Sequence, residues 1–122
     1  MDKYYDKVQE YLNMDTEIEF EEFRNYYQDV LSYLEKQQEE IAEDEIWKSL
    51  FVVESIMSNA ENRANTAKKT AERKKYKKMS ERTKLYAQFF TKKLHDMGYT
   101  QDQIEERFDK MLAEGQAESE SS

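Results

Sequence analysis

Apolar residues recur every three or four positions through most of the chain, the spacing that places them on one face of an α-helix. The clearest pattern covers residues 20–34, a second covers residues 46–71, and a third covers residues 76–97. Shorter patterns occupy residues 3–12 and 104–112. We therefore predict an all-α fold, a small bundle of four or five mostly antiparallel helices.

A few polar residues and one glycine mark where these helices begin and end. Thr16 followed by Glu19 fits a capping box, so we predict a helix start there, and Thr100 with Gln103 fits a second one. Gly98 fits the left-handed position that follows the last turn of a helix. These signals predict that the last two helices are separated by a tight turn at residues 98–100.

The second and third apolar patterns are out of phase, because Ala71 and Tyr76 are five residues apart. We therefore predict a break, bend or bulge near residues 68–75, with one continuous helix as the alternative. The last residues are polar and acidic, a composition that favours disorder. The predicted organisation is a single domain over residues 1–114 and a disordered acidic tail over residues 115–122.

Composition narrows the chemistry that the chain can perform. It has no cysteine, which excludes disulfides, zinc thiolates and cysteine nucleophiles, and its single histidine does not suffice for a typical zinc site. No apolar run reaches the length of a membrane span, and the first residues do not resemble a signal peptide. We expect a cytoplasmic protein without a cofactor or a membrane partner.

Charge is divided into three blocks along the chain. Residues 1–62 carry 5 basic and 17 acidic groups, residues 63–93 carry 12 basic and 2 acidic groups, and residues 94–122 carry 2 basic and 8 acidic groups. Blocks of this kind indicate either packing of one block against another or an interaction surface.

The central basic block supplies one set of candidate binding residues. Lysine and arginine bind phosphate backbones through their charge, and a tyrosine among them could stack on a base. The alternative is a solvated helix face that opposes the acidic first half, and the acidic remainder of the chain repels polyanions. The candidates for binding a protein partner or a nucleic acid are Arg63, Lys68, Lys69, Arg73, Lys74, Lys75, Tyr76, Lys77, Lys78 and Arg82.

An acidic motif suggests a different function. Glu39, Glu40 and Glu43 form an E-E-x-x-E sequence, which resembles the first magnesium motif of the all-helical nucleoside triphosphate pyrophosphohydrolases. That resemblance implies a magnesium-dependent nucleotide hydrolase with these three residues as metal ligands. The second motif of the family, E-x-x-D, should follow on the next helix and is missing there, because Met57 follows Glu54 at the third position and Ala64 follows Glu61.

Large apolar residues near the start of the second pattern are candidates for an interface. Trp47 fits a core or interface anchor, and Phe51 and Val52 lie beside the main apolar stripe. A helix that is apolar on several sides needs neighbours on each of them, and a second copy of the chain could provide one. Our leading hypothesis is a non-enzymatic interaction or regulatory protein that presents a charged, aromatic-bearing helical surface to a protein partner, possibly itself. Nucleic-acid binding and nucleotide hydrolysis are the alternatives.

Overall fold

A computed structural model of the protein describes residues 1–14, 16–37 and 41–121, with side chains described up to residue 115. Throughout this part of the chain the regular structure is helical, which confirms the predicted all-α bundle. The helices are α1 (Asp2–Leu12), α2 (Phe20–Lys36), α3 (Glu43–Thr66), α4 (Thr70–Asp96) and α5 (Gln101–Ser121).

Helices that follow one another in sequence run in opposite directions. Side-chain contacts join Phe23 of α2 to Arg63 near the end of α3, whereas Tyr33 donates a hydrogen bond to Glu45 near its start. The backbones of α3 and α4 approach each other closely along much of their length. α2 and α4 are consequently parallel to each other, and both flank α3.

α3 is the central helix, and this explains why its sequence is apolar on several sides. Its buried residues cover almost its whole circumference, and they include Ile46, Leu50, Val53 and Ile56. α1 packs beside it, with the rings of Tyr5 and Phe51 5.3 Å apart. Neighbouring helices of the same chain thus cover the faces that a second copy was expected to cover.

The α3–α4 connection confirms the predicted break and locates it at Ala67–Lys69, at the edge of the predicted range. Ala67 adopts an extended conformation that ends α3. The Arg73 guanidinium then donates a 3.0 Å hydrogen bond to the Ala67 carbonyl oxygen, one of the acceptors left without a helical partner. Arg73 therefore stabilises the turn between the two longest helices.

The two predicted capping boxes have different outcomes. At Thr100 the prediction is correct, because the Thr100 hydroxyl accepts from the Gln103 amide and the Gln103 side chain accepts from the Thr100 amide. At Thr16 it is wrong: α2 begins at Phe20, and Glu19 occupies the capping position without a side-chain hydrogen bond. Gly98 has the predicted left-handed backbone, with φ of 103°.

α5 packs against α1, and this contact extends past the predicted end of the domain. The Gln9 side chain donates a 2.9 Å hydrogen bond to the Met111 carbonyl, and Asn13 donates a 3.1 Å bond to the Gly115 carbonyl. Gly115, which the sequence analysis assigned to the tail, is therefore buried within the fold. The disorder expected for the residues beyond it stays a prediction.

Candidate protein-binding groove

Two large apolar side chains on α4 are exposed to solvent. Leu85 is 67% exposed and Phe89 is 51% exposed. They lie four residues apart and therefore on one side of the helix, outside the buried stripe that contains Thr83, Phe90 and Leu94. Large apolar residues that cluster on a surface often mark a binding site.

These two residues line the apolar half of a groove between α2 and α4. This half has a volume of about 510 Å³. Leu34 and Gln37 contribute from the end of α2, and Ile41 contributes from the segment that precedes α3. The remaining lining residues all belong to α4 and are Arg82, Leu85, Tyr86, Phe89 and Phe90.

The groove continues toward the first residues of both helices, where it becomes basic. This second half has a volume of about 660 Å³ and shares Arg82 and Leu85 with the first. Arg24, Lys75 and Lys78 line it, with Glu81 as the acidic residue among them. A single groove therefore passes from an apolar end to a positively charged end.

Aromatic side chains of α2 hold it at a distance from α4 in the basic half. The rings of Phe20 and Tyr76 meet edge to face with their centroids 5.5 Å apart, and Phe23 lies 6.3 Å from the same Tyr76 ring. Wide rings therefore bridge the two helices here, and the groove lies beside them.

The charge of the groove comes from its lysines, arginines and glutamate. Burial raises the pKa of Tyr27, and a hydrogen bond from Arg82 opposes that rise. Burial also raises the pKa of Tyr86, and the negative charge of Glu35 adds to the effect. Both phenols are therefore neutral at physiological pH.

The candidate basic residues divide into structural and exposed groups. Arg63 is buried: it donates 2.6 Å hydrogen bonds to the Ile18 carbonyl and the Asn59 side chain, and its guanidinium lies 4.7 Å from the centre of the Phe23 ring. Tyr76 is buried as well, so its predicted role in stacking on a base is wrong. Both residues were misassigned because they are charged or polar in sequence but face α2 in the fold.

The remaining candidates on this segment are exposed. The lysines cluster at the end of the hairpin and along the outer side of α4, and they are Lys68, Lys69, Lys74, Lys75, Lys77 and Lys78. Within the described part of the chain, none of them forms an ion pair with a carboxylate. The predicted packing of this segment against the acidic first half is therefore not supported by direct pairing.

The interface candidates lie inside the bundle. Trp47 is 4% exposed, and Phe51 and Val52 are almost fully buried. The Trp47 ring contacts Tyr99, with centroids 5.2 Å apart, while Phe51 contacts Phe108 at 5.5 Å. The assignment of these three residues to an interface between copies is corrected accordingly: all three form part of the core.

The described part of the structure does not provide a magnesium site at the three glutamates of the E-E-x-x-E motif. Glu39 and Glu40 lie outside the described residues. Glu43 is exposed and accepts a 2.9 Å hydrogen bond from the Tyr99 hydroxyl. Among the residues whose positions are described, no group of three or more acidic or histidine side chains is arranged to hold a metal ion.

Sequence reasoning missed Leu85 and Phe89 as candidate binding residues, although a signal was present. The third apolar pattern runs through Thr83, Tyr86 and Phe90, and it leaves two large apolar residues four positions apart outside it. A pair of that kind on an otherwise basic helix indicates a second apolar surface. Only the structure shows that no helix of the described chain covers this surface.

Comparison of the chain with known protein families, with curated proteins and with solved structures gives no match in any of the three. None of the helices in the described ranges contains an apolar stretch suited to crossing a bilayer.

Proposed function

We propose that this chain is a non-enzymatic interaction protein that binds a protein partner in the groove between α2 and α4. The observation that carries this proposal is the exposure of Leu85 and Phe89 at the apolar end of the groove. We place this role in the cytoplasm, because a cysteine-free chain fits a reducing compartment.

The physical basis is the apolar surface that a partner would cover. Complete burial of one large apolar side chain contributes roughly 1.5–3 kcal/mol. The backbone at Leu85 and Phe89 is already ordered in a helix, so little backbone entropy is lost when a partner contacts them. Basic residues at the edge, such as Lys78 and Arg82, would add selectivity and faster association.

The proposal can be tested with a matched pair of surface variants. In one, Leu85 and Phe89 are both changed to Gln; in the other, the exposed Met97 and Leu112 are changed to Gln. Both proteins are tagged and expressed in the native host, and captured proteins are identified by mass spectrometry. Calorimetry with the purified partner then follows. We expect the groove variant to lose the partner and the control to retain it, whereas equal binding by both would contradict the proposal.

Nucleic-acid binding is the second candidate function, and the exposed lysines of residues 68–78 favour it. They lack ion pairs with the carboxylates that the structure describes, so they are free to contact phosphates. Burial of Tyr76 weighs against it, as does the net charge of −8. Fluorescence anisotropy with random 30-nucleotide DNA and RNA, over a salt series, tests it. We expect no sub-micromolar binding at physiological salt.

A charge-reversal variant makes the second test specific. In this variant Lys74, Lys75, Lys77 and Lys78 are all changed to Glu. If the segment binds nucleic acid, this change abolishes binding, and the wild-type affinity falls steeply with salt because counterions are released. Tight, salt-sensitive binding that disappears in the variant would replace the protein-partner proposal.

A further inference from the structure

The groove between α2 and α4 differs from one end to the other, and this difference carries information about its occupant. The apolar end is formed by Leu34, Leu85 and Phe89. The basic end is formed by Arg24, Lys75 and Lys78, with Glu81 as its acidic residue. A ligand that fits the whole groove must therefore be apolar at one end and negatively charged at the other.

The length and shape of the groove fit a helix. From Lys75 to Phe90 the groove follows four turns of α4, about 22 Å at 1.5 Å per residue. The exposed apolar side chains of α4 are spaced as residues on one helical face, which matches the ridges of a second helix. α2 and α4 are parallel, and a further helix placed between them would complete the outer layer of the bundle.

We propose that the groove binds an acidic amphipathic helix of a protein partner, with its apolar residues on Leu85 and Phe89 and its carboxylates on Lys75 and Lys78. This inference rests on the proposed function and adds the chemistry of the partner to it. Charge complementarity favours a partner helix that is acidic where it meets the basic end of the groove. Its carboxylates would contact lysines that have no ion pair within the described residues.

The observations favour a helix over the other anionic occupants. A base could stack on Phe89, but Leu34 and Ile41 are covered better by apolar side chains of a helix than by phosphate or ribose. A flat membrane surface could contact the exposed Leu85 and Phe89, but it would leave the recessed Leu34 and Phe90 of the concave groove uncovered. An amphipathic helix supplies both apolar anchors and charge at a spacing that the groove matches.

The test is a selection from a phage-displayed library of 16-residue helical peptides with one randomised face. The target is the full-length protein, and the Leu85→Gln, Phe89→Gln variant removes peptides that bind elsewhere. We expect the selected peptides to carry apolar residues three or four positions apart near one end and two or more Asp or Glu residues toward the other. Synthetic copies of these peptides, measured by fluorescence anisotropy, should bind with micromolar dissociation constants.

Charge is then tested directly with one selected peptide and its Glu→Lys counterpart. We expect the acidic peptide to bind the wild-type protein at least tenfold more tightly than the basic one. The Lys75→Glu, Lys78→Glu variant should reverse that preference. A control variant with Lys77→Glu and Lys84→Glu changes the same number of charges outside the groove, and it should keep the wild-type preference for the acidic peptide. Circular dichroism melting verifies that each variant is folded.

The outcomes separate this inference from the proposed function. Peptides that need Leu85 and Phe89 but are neutral or basic would overturn the acidic partner and leave the protein-binding groove intact. A selection without any groove-dependent peptide would overturn both. Binding of single-stranded DNA or of anionic vesicles, or self-association measured by sedimentation, would also overturn the inference if it is lost in the Leu85→Gln, Phe89→Gln variant.

Discussion

The two sides of α4 meet very different surroundings. Toward α3 the helices are close, and residues with small or compact side chains are buried along them, among them Ala60, Ala64 and Ala87. Toward α2 the contacts depend on wide aromatic rings such as Phe20 and Tyr76. Small side chains allow two backbones to approach, while large rings hold them apart, so the same helix has one closed side and one open side.

Apolar residues on one helix therefore have separate roles according to the side they face. Leu94 is fully buried on the closed side, whereas Leu85 is 67% exposed on the open side. Both are leucines on α4 and contribute equally to its helical propensity. Stability should therefore depend on the closed side and binding on the open side. Five changes test this separation and the closed contacts elsewhere in the bundle, in order of decreasing expected effect.

The largest effect is expected from Leu94→Ala on the closed side. Truncation of a fully buried leucine leaves a cavity and should lower the free energy of unfolding by about 2–5 kcal/mol. The matched change, Leu85→Ala on the open side, should stay within about 0.5 kcal/mol of wild type. Urea unfolding monitored by circular dichroism measures both. Similar losses for the two leucines would show that the open side also carries stability.

Arg63→Met should give the next largest loss. The change removes two hydrogen bonds from a charged donor and leaves the partly buried Ile18 carbonyl without this partner, which costs about 1.5–3 kcal/mol. Lys74→Met on the exposed side of α4 is the control and should be nearly neutral. Thermal and urea unfolding of both proteins test this. A neutral Arg63 variant would mean that the buried guanidinium does not stabilise the contact between α2 and α3.

Gly115→Ala examines a second closed contact, between α1 and α5. A Cβ atom at residue 115 would overlap with the buried side-chain amide of Gln9, so we expect a loss of about 1 kcal/mol. In a Gln9→Ala background the same change should instead stabilise the protein by about 0.5–1 kcal/mol, because alanine favours a helix more than glycine does. The double-mutant cycle measures this change of sign, and equal effects in both backgrounds would contradict the contact.

The stability of the protein should depend on the titration of Glu54 in α3, and Glu54→Gln tests this dependence. Burial raises the pKa of Glu54 above its ordinary value of 4.5, and the negative charge of Glu61 adds to the rise. The folded state therefore holds this proton more strongly than the unfolded state, and the stabilisation is lost as pH rises through the raised pKa. The variant should melt at a slightly higher temperature than wild type at pH 7, and this advantage should disappear below pH of about 4. A gain that is independent of pH would rule out the titration of Glu54.

The smallest effect is expected from Ser49→Ala in the central helix. The Ser49 side chain is fully buried, and its hydroxyl has no hydrogen-bond partner among the described residues. Removal of an unsatisfied polar group should be neutral or stabilise the fold by up to about 1 kcal/mol. Thr83→Val provides the contrast, since the Thr83 hydroxyl donates a 2.7 Å bond to the Met79 carbonyl. Equal losses from both changes would indicate an unrecognised partner for Ser49.

Most of the local structure could be read from the order of residues. The three- and four-residue spacing predicts the helices, Gly98 predicts the turn before α5, and Thr100 with Gln103 predicts its start. These features depend on residues close together in sequence. At Thr16 the local pattern misleads, because a capping box is a common sequence pattern. α2 begins instead at Phe20, whose ring contacts the distant Tyr76.

The candidate site could not be read in the same way. Arg63 and Lys68 look equivalent in a basic block, yet one is buried against Phe23 and the other is exposed. Trp47 could equally face the core or a partner, and it lies in the core because Tyr99 and, from α5, Arg107 pack on its ring. The residue order thus specifies the helices and their charge, because periodicity and capping are local. Which sides are closed and which stay open depends on how distant helices pack, and it was this packing that left the groove beside Leu85 and Phe89.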